Sequence, residues 1–377
     1  QMDGGVAPVE LSINLQPADI PIPARSEFRW PWRILLAIAF SLIAQAALER
    51  PAGSLVLSIV LYFLALTFLG WAYYEKEFDL PGAGEVISQD DPRTYHRNSL
   101  ILAFVLSFVA FLLFSNNLFT TINVSIWLTA LILFVRSFWL VNVDQPTFFQ
   151  RFLVFFRRDS WQVSITRWTV LVVVVAVVVL FYRFYRLSGV PGEPFSDHAE
   201  KLLDVYDVTQ GQTHIFFPRN TGREFLQFYL TAAIATWLGT GISFISLKIG
   251  TVLIGLLALP YIYLIGKELG GKRVAIFALL LAGTSYWLNV ISRIGLRFPL
   301  YPAFAAPALY HFIRGMRRHN RNDFILSGLF LGLGLHGYSP YRFVPVVLLL
   351  GLVIYLLHKQ SEGKRSQTVM LFTILVI

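Results

Sequence analysis

The chain has 377 residues, 56% of them hydrophobic and only 14% charged, with a mean hydropathy of +0.61 and a formal net charge of +9. That balance excludes a water-soluble globular domain and fits a membrane protein, in which surplus Lys and Arg mark cytoplasmic loops rather than a nucleic-acid surface. With no cysteine, disulfide frameworks, thiolate nucleophiles and Cys-type zinc sites are excluded as well.

Apolar runs recur along the whole chain, and a helix needs about 20 residues to cross the roughly 30 Å hydrocarbon layer. The runs do not alternate in polarity, so the spans are helices rather than barrel strands. The predicted fold class is an all-α polytopic membrane protein.

Residues 1–31 are polar, Pro-rich and aperiodic, which predicts a flexible cytoplasmic tail ending at Arg25, Arg29 and Arg33. Ala44-Gln45-Ala46 has the small-residue look of a signal-peptidase site, but a second apolar run follows directly, which favours a span. Trp32–Leu48 and Gly53–Tyr74 are predicted as a hairpin of spans, Ser99–Phe114 and Thr121–Val141 as the next two. Arg136 near the end of the fourth is expected to snorkel to the interface. Residues 142–167 carry Arg151, Arg157, Arg158 and Arg167 and are expected on the cytoplasmic face. The domains expected are a tail (1–31), a four-span region (32–165) and a core (166–377).

Span five, Trp168–Tyr182, leads into the one long polar segment of the second half, Arg186–Glu224, where carboxylates concentrate. Asp197 and Glu200 have the D-x-x-E spacing of a helix start, one capping the first turn and the other reaching back. Ala199, Leu202, Leu203 and Tyr206 then fall on one side, with Asp197, Glu200, Asp204 and Asp207 opposite, until Gly211 stops the helix. The expectation is an interfacial helix with one acidic face.

The following run, 225–238, is too short to be an obvious span. Apolar runs then cover Ile249–Ile265, Val274–Ile291, Leu300–Ile313, Phe324–Leu335 and Phe343–Leu357. Every second loop between them is basic: Lys267, Lys272 and Arg273; Arg314, Arg317, Arg318 and Arg321; Lys359, Lys364 and Arg365. If 225–238 does not cross, these loops all face the cytoplasm and the acidic segment faces outside; if it crosses, they face outside, against the charge rule. The first arrangement is the expectation, and it gathers the stretch 220–224, the turn Ser292–Pro299 and the turn Leu335–Arg342 on the face of Asp197. The final run, Val369–Ile377, stops within apolar sequence, so the chain is expected to continue.

No G-x-x-x-x-G-K-[ST] loop and no H-E-x-x-H motif is present, which removes the usual residues for nucleotide hydrolysis and zinc proteolysis. A carboxylate beside several cations at a membrane surface suits transfer of a group from a lipid-linked phosphate. The acid takes a proton from the acceptor while the cations stabilise the departing phosphate.

Ser196-Asp197-His198-Ala199-Glu200, followed by a helix, a glycine and a basic residue before an aromatic-rich short helix, resembles the GT-C membrane glycosyltransferases. The resemblance is to the branch of protein O-mannosyltransferases and lipid A aminoarabinose transferases, and spans residues 166–360. It implies a GT-C type helix bundle and Asp197 as catalytic base, with His198 where the family has a Glu. It further implies Arg223, in Gly222-Arg223-Glu224-Phe225, as a phosphate contact in place of the family's Lys-Pro-Pro element, whose prolines are absent. Lys248 is similar to the family's Arg at the start of the next span, and Gly270-Gly271-Lys272-Arg273 to its short basic turn. Ser292-Arg293 is similar to its Ser-Arg, but Arg297 and Phe298 stand where an Asp is expected, so Glu224 becomes the second carboxylate. The catalytic set is then Asp197, Glu224 and His198, and the donor-phosphate set Arg223, Lys248, Arg293, Arg297, Tyr338 and Arg342.

The implied partners are a lipid-linked sugar donor, an acceptor of unspecified kind and membrane lipids, with no nucleic acid. No cofactor is expected; a metal held by Asp197, His198 and His214 is the minor alternative. Other readings stay open at this level. Asp197 alone makes an ordinary cap, the Arg and Lys residues make ordinary snorkellers, and Tyr338 and Tyr341 make belt aromatics. A transporter or lipid flippase, or a non-catalytic scaffold, is the competing function; a transporter calls for charges in mid-span and inverted repeats, neither of which the sequence displays.

Overall fold

A computed structural model describes residues 31–49, 54–75, 77, 95–140, 165–192, 194–219, 222–358, 361 and 363–377. The tail, most of the 75–98 linker, the 142–164 part of the basic loop and Lys359 lie outside the described residues. The chain is an all-α polytopic membrane protein, with six helices long and apolar enough to cross a membrane among the described residues. It divides into two compact units, 1–80 and 81–377.

The first unit is the expected hairpin of α1 (Trp32–Glu49) and α2 (Leu55–Tyr74). Small residues line its seam, with Ala37 and Ala44 from α1 and Ser58, Ala65 and Ala72 from α2 all buried, so the backbones approach closely. At its open end Arg33 lies 4.6 Å from the Trp32 and Trp71 ring centroids and bonds Glu77 at 2.7 Å.

The second unit begins with α3 (Arg97–Leu113) and α4 (Thr121–Phe138). Next come α5 (Arg167–Phe184) and α6 (Ser196–Thr209). A two-stranded antiparallel ribbon, β1 (Phe216–Phe217) with β2 (Arg223–Glu224), precedes the short α7 (Leu226–Trp237). The element α8 (Phe244–Thr284) reverses at Gly271, whose φ of +78° is open to glycine. Its two arms lie so close that a side chain on Gly266 would meet the Ala275 backbone at 2.9 Å, so the expected basic turn at 270–273 is a tight hairpin. After Ser285 come α9 (Tyr286–Arg293), α10 (Leu300–Arg318), α11 (Arg321–Gly334), α12 (Val344–Leu357) and α13 (Arg365–Val376).

The contacts agree with the expected path of 225–238, which does not cross. Lys248, early in α8, donates to the carbonyls of Leu187 and Pro191 just past the end of α5. The chain therefore re-enters α8 from the end of the bundle at which it left α5. α7 stays at that end, with Leu226 and Leu230 packed against Ile254 and Leu300. At the opposite end Glu268 binds both Arg317 and Arg318, so two of the basic loops share one end, as their charge pattern requires. Spans three and four, grouped by sequence with the first two, are tied to the later helices. Asn322 exchanges hydrogen bonds of 2.8 and 2.9 Å with Leu140, and Asn117 bonds the Phe216 carbonyl at 2.7 Å.

Candidate active site

α6 starts where the sequence placed it but is oriented differently. Phe195 occupies the N-cap position and His198 reaches back to the Phe195 N–H at 3.1 Å, the part assigned to Glu200, so Asp197 lies inside the first turn. The two faces are also exchanged. His198, Lys201, Asp204 and Val205 are buried, whereas Leu203 and Tyr206 are about half exposed. The acidic stripe turns inward because the protein supplies its counter-charges, Arg219 to Asp204 at 2.6 Å and Arg223 to Glu200 at 3.2 Å. Burial still raises the Asp204 pKa, against the pull of Arg219.

Arg223 and Glu224 are adjacent in β2, and side chains of successive strand residues point to opposite sides. Arg223 turns towards α6, its guanidinium 3.8 Å from the Asp197 carboxylate and 3.2 Å from that of Glu200. Glu224 turns the other way, 2.8 Å from Arg297 and 4.0 Å from Arg342. Arg297 also sits 5.6 Å from the Tyr338 ring centroid, a cation–π distance. The ribbon is turned by Gly222 at φ +90°, where an added side chain would meet the Phe216 ring at 2.1 Å.

Six of the expected site residues thus come together: Asp197, Arg223, Glu224, Arg297, Tyr338 and Arg342. Their exposures are graded. The Asp197 side chain is 40% exposed and Arg342 71%, while Arg223 is 4% exposed and its Nη1 has no hydrogen-bond partner among the described residues. A buried guanidinium with a spare donor beside a reachable carboxylate is suited to an anionic oxygen.

Three expected residues are placed elsewhere, each held by main-chain carbonyls. His198 is fully buried; its Nδ1 accepts from Phe195 and its Nε2 is 2.6 Å from the Ile294 carbonyl, so the ring is neutral with the proton on Nε2. Burial lowers its pKa accordingly. With both nitrogens engaged it has no lone pair for a metal, and it fixes the 294–297 turn together with Gln227, which donates to Gly295 at 2.8 Å. Lys248 is fully buried on Leu187 and Pro191, at 2.7 and 2.5 Å. Arg293 spans the carbonyls of Tyr182, Tyr185 and Val190, which terminates α5 with a cation.

One neighbour of Asp197 escaped the sequence reading. Lys201, one turn after Asp197, is buried, 4.0 Å from the Asp197 carboxylate and 3.0 Å from its carbonyl. Desolvation, then the charge of Arg223, lowers its pKa to about 8. The i, i+4 spacing from the acid was the available signal, but on an exposed helix face such a pair is commonplace.

With this geometry in hand, comparison with known proteins bears on the second half of the chain. Residues 225–377 match the family model of dolichyl-phosphate-mannose-protein mannosyltransferases. The match points to glycosyl transfer in a membrane setting and singles out no branch of the family. It takes in Arg297, Tyr338 and Arg342 but begins after Asp197, Arg223 and Glu224. No curated protein and no solved structure matches the chain.

Proposed function

We propose that the protein is a membrane glycosyltransferase that moves a sugar from a polyprenyl-phosphate donor to an acceptor at the outer face of the cytoplasmic membrane. The observation that carries this reading is the Asp197 carboxylate held between Lys201 and the buried Arg223, with Arg297 and Arg342 on the adjoining side of β2. The family match over 225–377 supports the reaction class, and its dolichyl-phosphate-mannose donor supports a mannosyl lipid phosphate as the first substrate to test.

In the proposed reaction Asp197 takes the proton of the acceptor hydroxyl or amide. The acceptor atom bonds to the anomeric carbon as the bond from that carbon to the phosphate oxygen breaks, which inverts the configuration. The electron pair leaves on polyprenyl phosphate, whose growing charge Arg223 and Arg297 stabilise. Glu224 holds Arg297 in place. His198 and Gln227 act at one remove, by fixing the turn that carries Arg297. The basic loops at the far end favour the cytoplasmic side for that end.

The test is transfer from radiolabelled polyprenyl-phosphate mannose in membranes carrying the protein, with host membranes as the acceptor source. Asp197→Asn keeps the side chain's shape and removes the base; label incorporation should fall to background at unchanged expression. Unaltered incorporation in that variant ends the mechanism.

A further inference from the structure

The turn that joins α3 to α4, residues 114–120, meets the β1–β2 ribbon edge-on. Leu118 forms an antiparallel bridge with His214. Around that bridge the Phe119 N–H donates to the Thr213 carbonyl at 2.6 Å, the Thr213 hydroxyl to the Phe119 carbonyl at 2.7 Å, and the Ile215 N–H to the Asn117 carbonyl at 3.1 Å. Residues 117–119 run in the manner of a third strand beside the segment that leads into β1.

The Asn117 side chain carries this pairing one residue further. Its Nδ2 donates to the Phe216 carbonyl at 2.7 Å and its Oδ1 accepts from the Phe216 N–H at 2.8 Å, so it takes both main-chain groups of Phe216 as a neighbouring strand would. Its own backbone is left-handed, φ +56°, a conformation that Asn tolerates better than most residues. Phe216 is the partner of Glu224 in the ribbon, and its ring closes over Gly222. Just past Glu224, the Phe225 ring packs edge-on against Phe119, centroids 4.8 Å apart, and Phe119 also meets Tyr229 of α7 at 5.8 Å. Arg223 and Glu224 are held between two contacts from one turn, Asn117 through Phe216 and Phe119 against Phe225.

We infer that Asn117 is a positioning residue of the transfer site, and that the α3–α4 hairpin, which precedes the region matched by the family model, is the brace that fixes Arg223 and Glu224. A two-stranded ribbon is marginal by itself. Successive strand residues point to opposite sides, so any shift of β2 displaces both ion-pair groups together. The inference rests on the transferase reading above and adds to it a part for α3 and α4. Arg223 is assigned there to charge that grows as the donor bond breaks, so loosening the brace acts on the maximal rate more than on the donor KM.

Two variants of the full chain in nanodiscs test this by hydrogen exchange and by transfer from polyprenyl-phosphate mannose. Asn117→Gly keeps the left-handed backbone and removes both side-chain bonds; Thr213→Val removes the hydroxyl bond from the opposite strand. The amides of 217–225 should exchange faster in both, and the maximal transfer rate should fall about tenfold in the first and about threefold in the second, with the donor KM within about twofold. Asn322→Ala is the control. It frees the opposite end of α4 from α11 without touching the ribbon, and should lower the thermal midpoint at an unchanged rate. Should one ribbon variant fail to fold, the other carries the test. Unchanged exchange of 217–225 in a folded variant overturns the brace, as does an unchanged rate, or an equal loss of rate in Asn322→Ala at a matching thermal midpoint. Exchange is read without substrate, so faster exchange in the variants of a wild type that transfers no mannose sinks the transferase reading and keeps the brace.

Discussion

Lys201 shows how little of a side chain's role is carried by its identity. Its amine sits among Asp197, Glu200, Arg223 and Arg297, and burial brings its pKa down to about 8. The folded state holds this proton less tightly than the unfolded chain does. Burying the charged amine therefore costs stability below about pH 8, and that cost fades as the pH rises through the folded value. Activity should move the other way. If the charged amine braces Asp197, transfer falls as the pH climbs through about 8, and Lys201→Arg, which stays protonated, flattens that limb in a pH–rate profile. Arg219 makes a second case. Replacing it by Gln leaves the buried Asp204 without its counter-charge, and chemical denaturation should register a loss of about 1–3 kcal/mol.

At the scale of elements, the ribbon β1–β2 does more than its two residue pairs suggest, because it sends Arg223 and Glu224 to opposite sides. Gly222→Ala should disturb both ion-pair groups at once. It places a methyl group into the Phe216 ring and imposes a left-handed backbone on a residue that resists it, at a cost of about 1–3 kcal/mol. Arg293 makes the contrasting prediction. Its hydrogen bonds make it the cation that closes α5, and on that footing its change to Gln should lower the thermal midpoint while leaving the donor KM within about twofold, a free-energy difference below ~0.5 kcal/mol. A KM rise of tenfold or more at unchanged stability would return it to the phosphate set.

For the whole molecule, the sidedness of the bundle is the property that most needs a direct measurement. The chain has no native cysteine, so single reporters are unambiguous. Gln210→Cys and Lys272→Cys both put an exposed thiol on the surface, one beside the acidic helix and one in the far hairpin turn. In intact cells an impermeant maleimide should label the first and not the second; the reverse pattern would invert the proposed orientation.

Hydropathy and charge spacing alone determined that the chain is a helical membrane protein, where its spans lie, and which loops share an end. Those signals are periodic and local, and the bilayer thickness and the charge rule act on them directly. That Asp197, Arg223, Glu224, Arg297, Tyr338 and Arg342 lie near one another was legible because the polar stretches that carry them lie between spans that leave them on one face. The inward turn of the acidic stripe of α6, the capture of His198, Lys248 and Arg293 by carbonyls, and the burial of Lys201 beside Asp197 were settled only by the tertiary structure. A charged side chain goes where its partners are, and partners as far apart in sequence as Arg293 and Tyr182, or Arg297 and Glu224, are brought together by packing rather than by any local pattern.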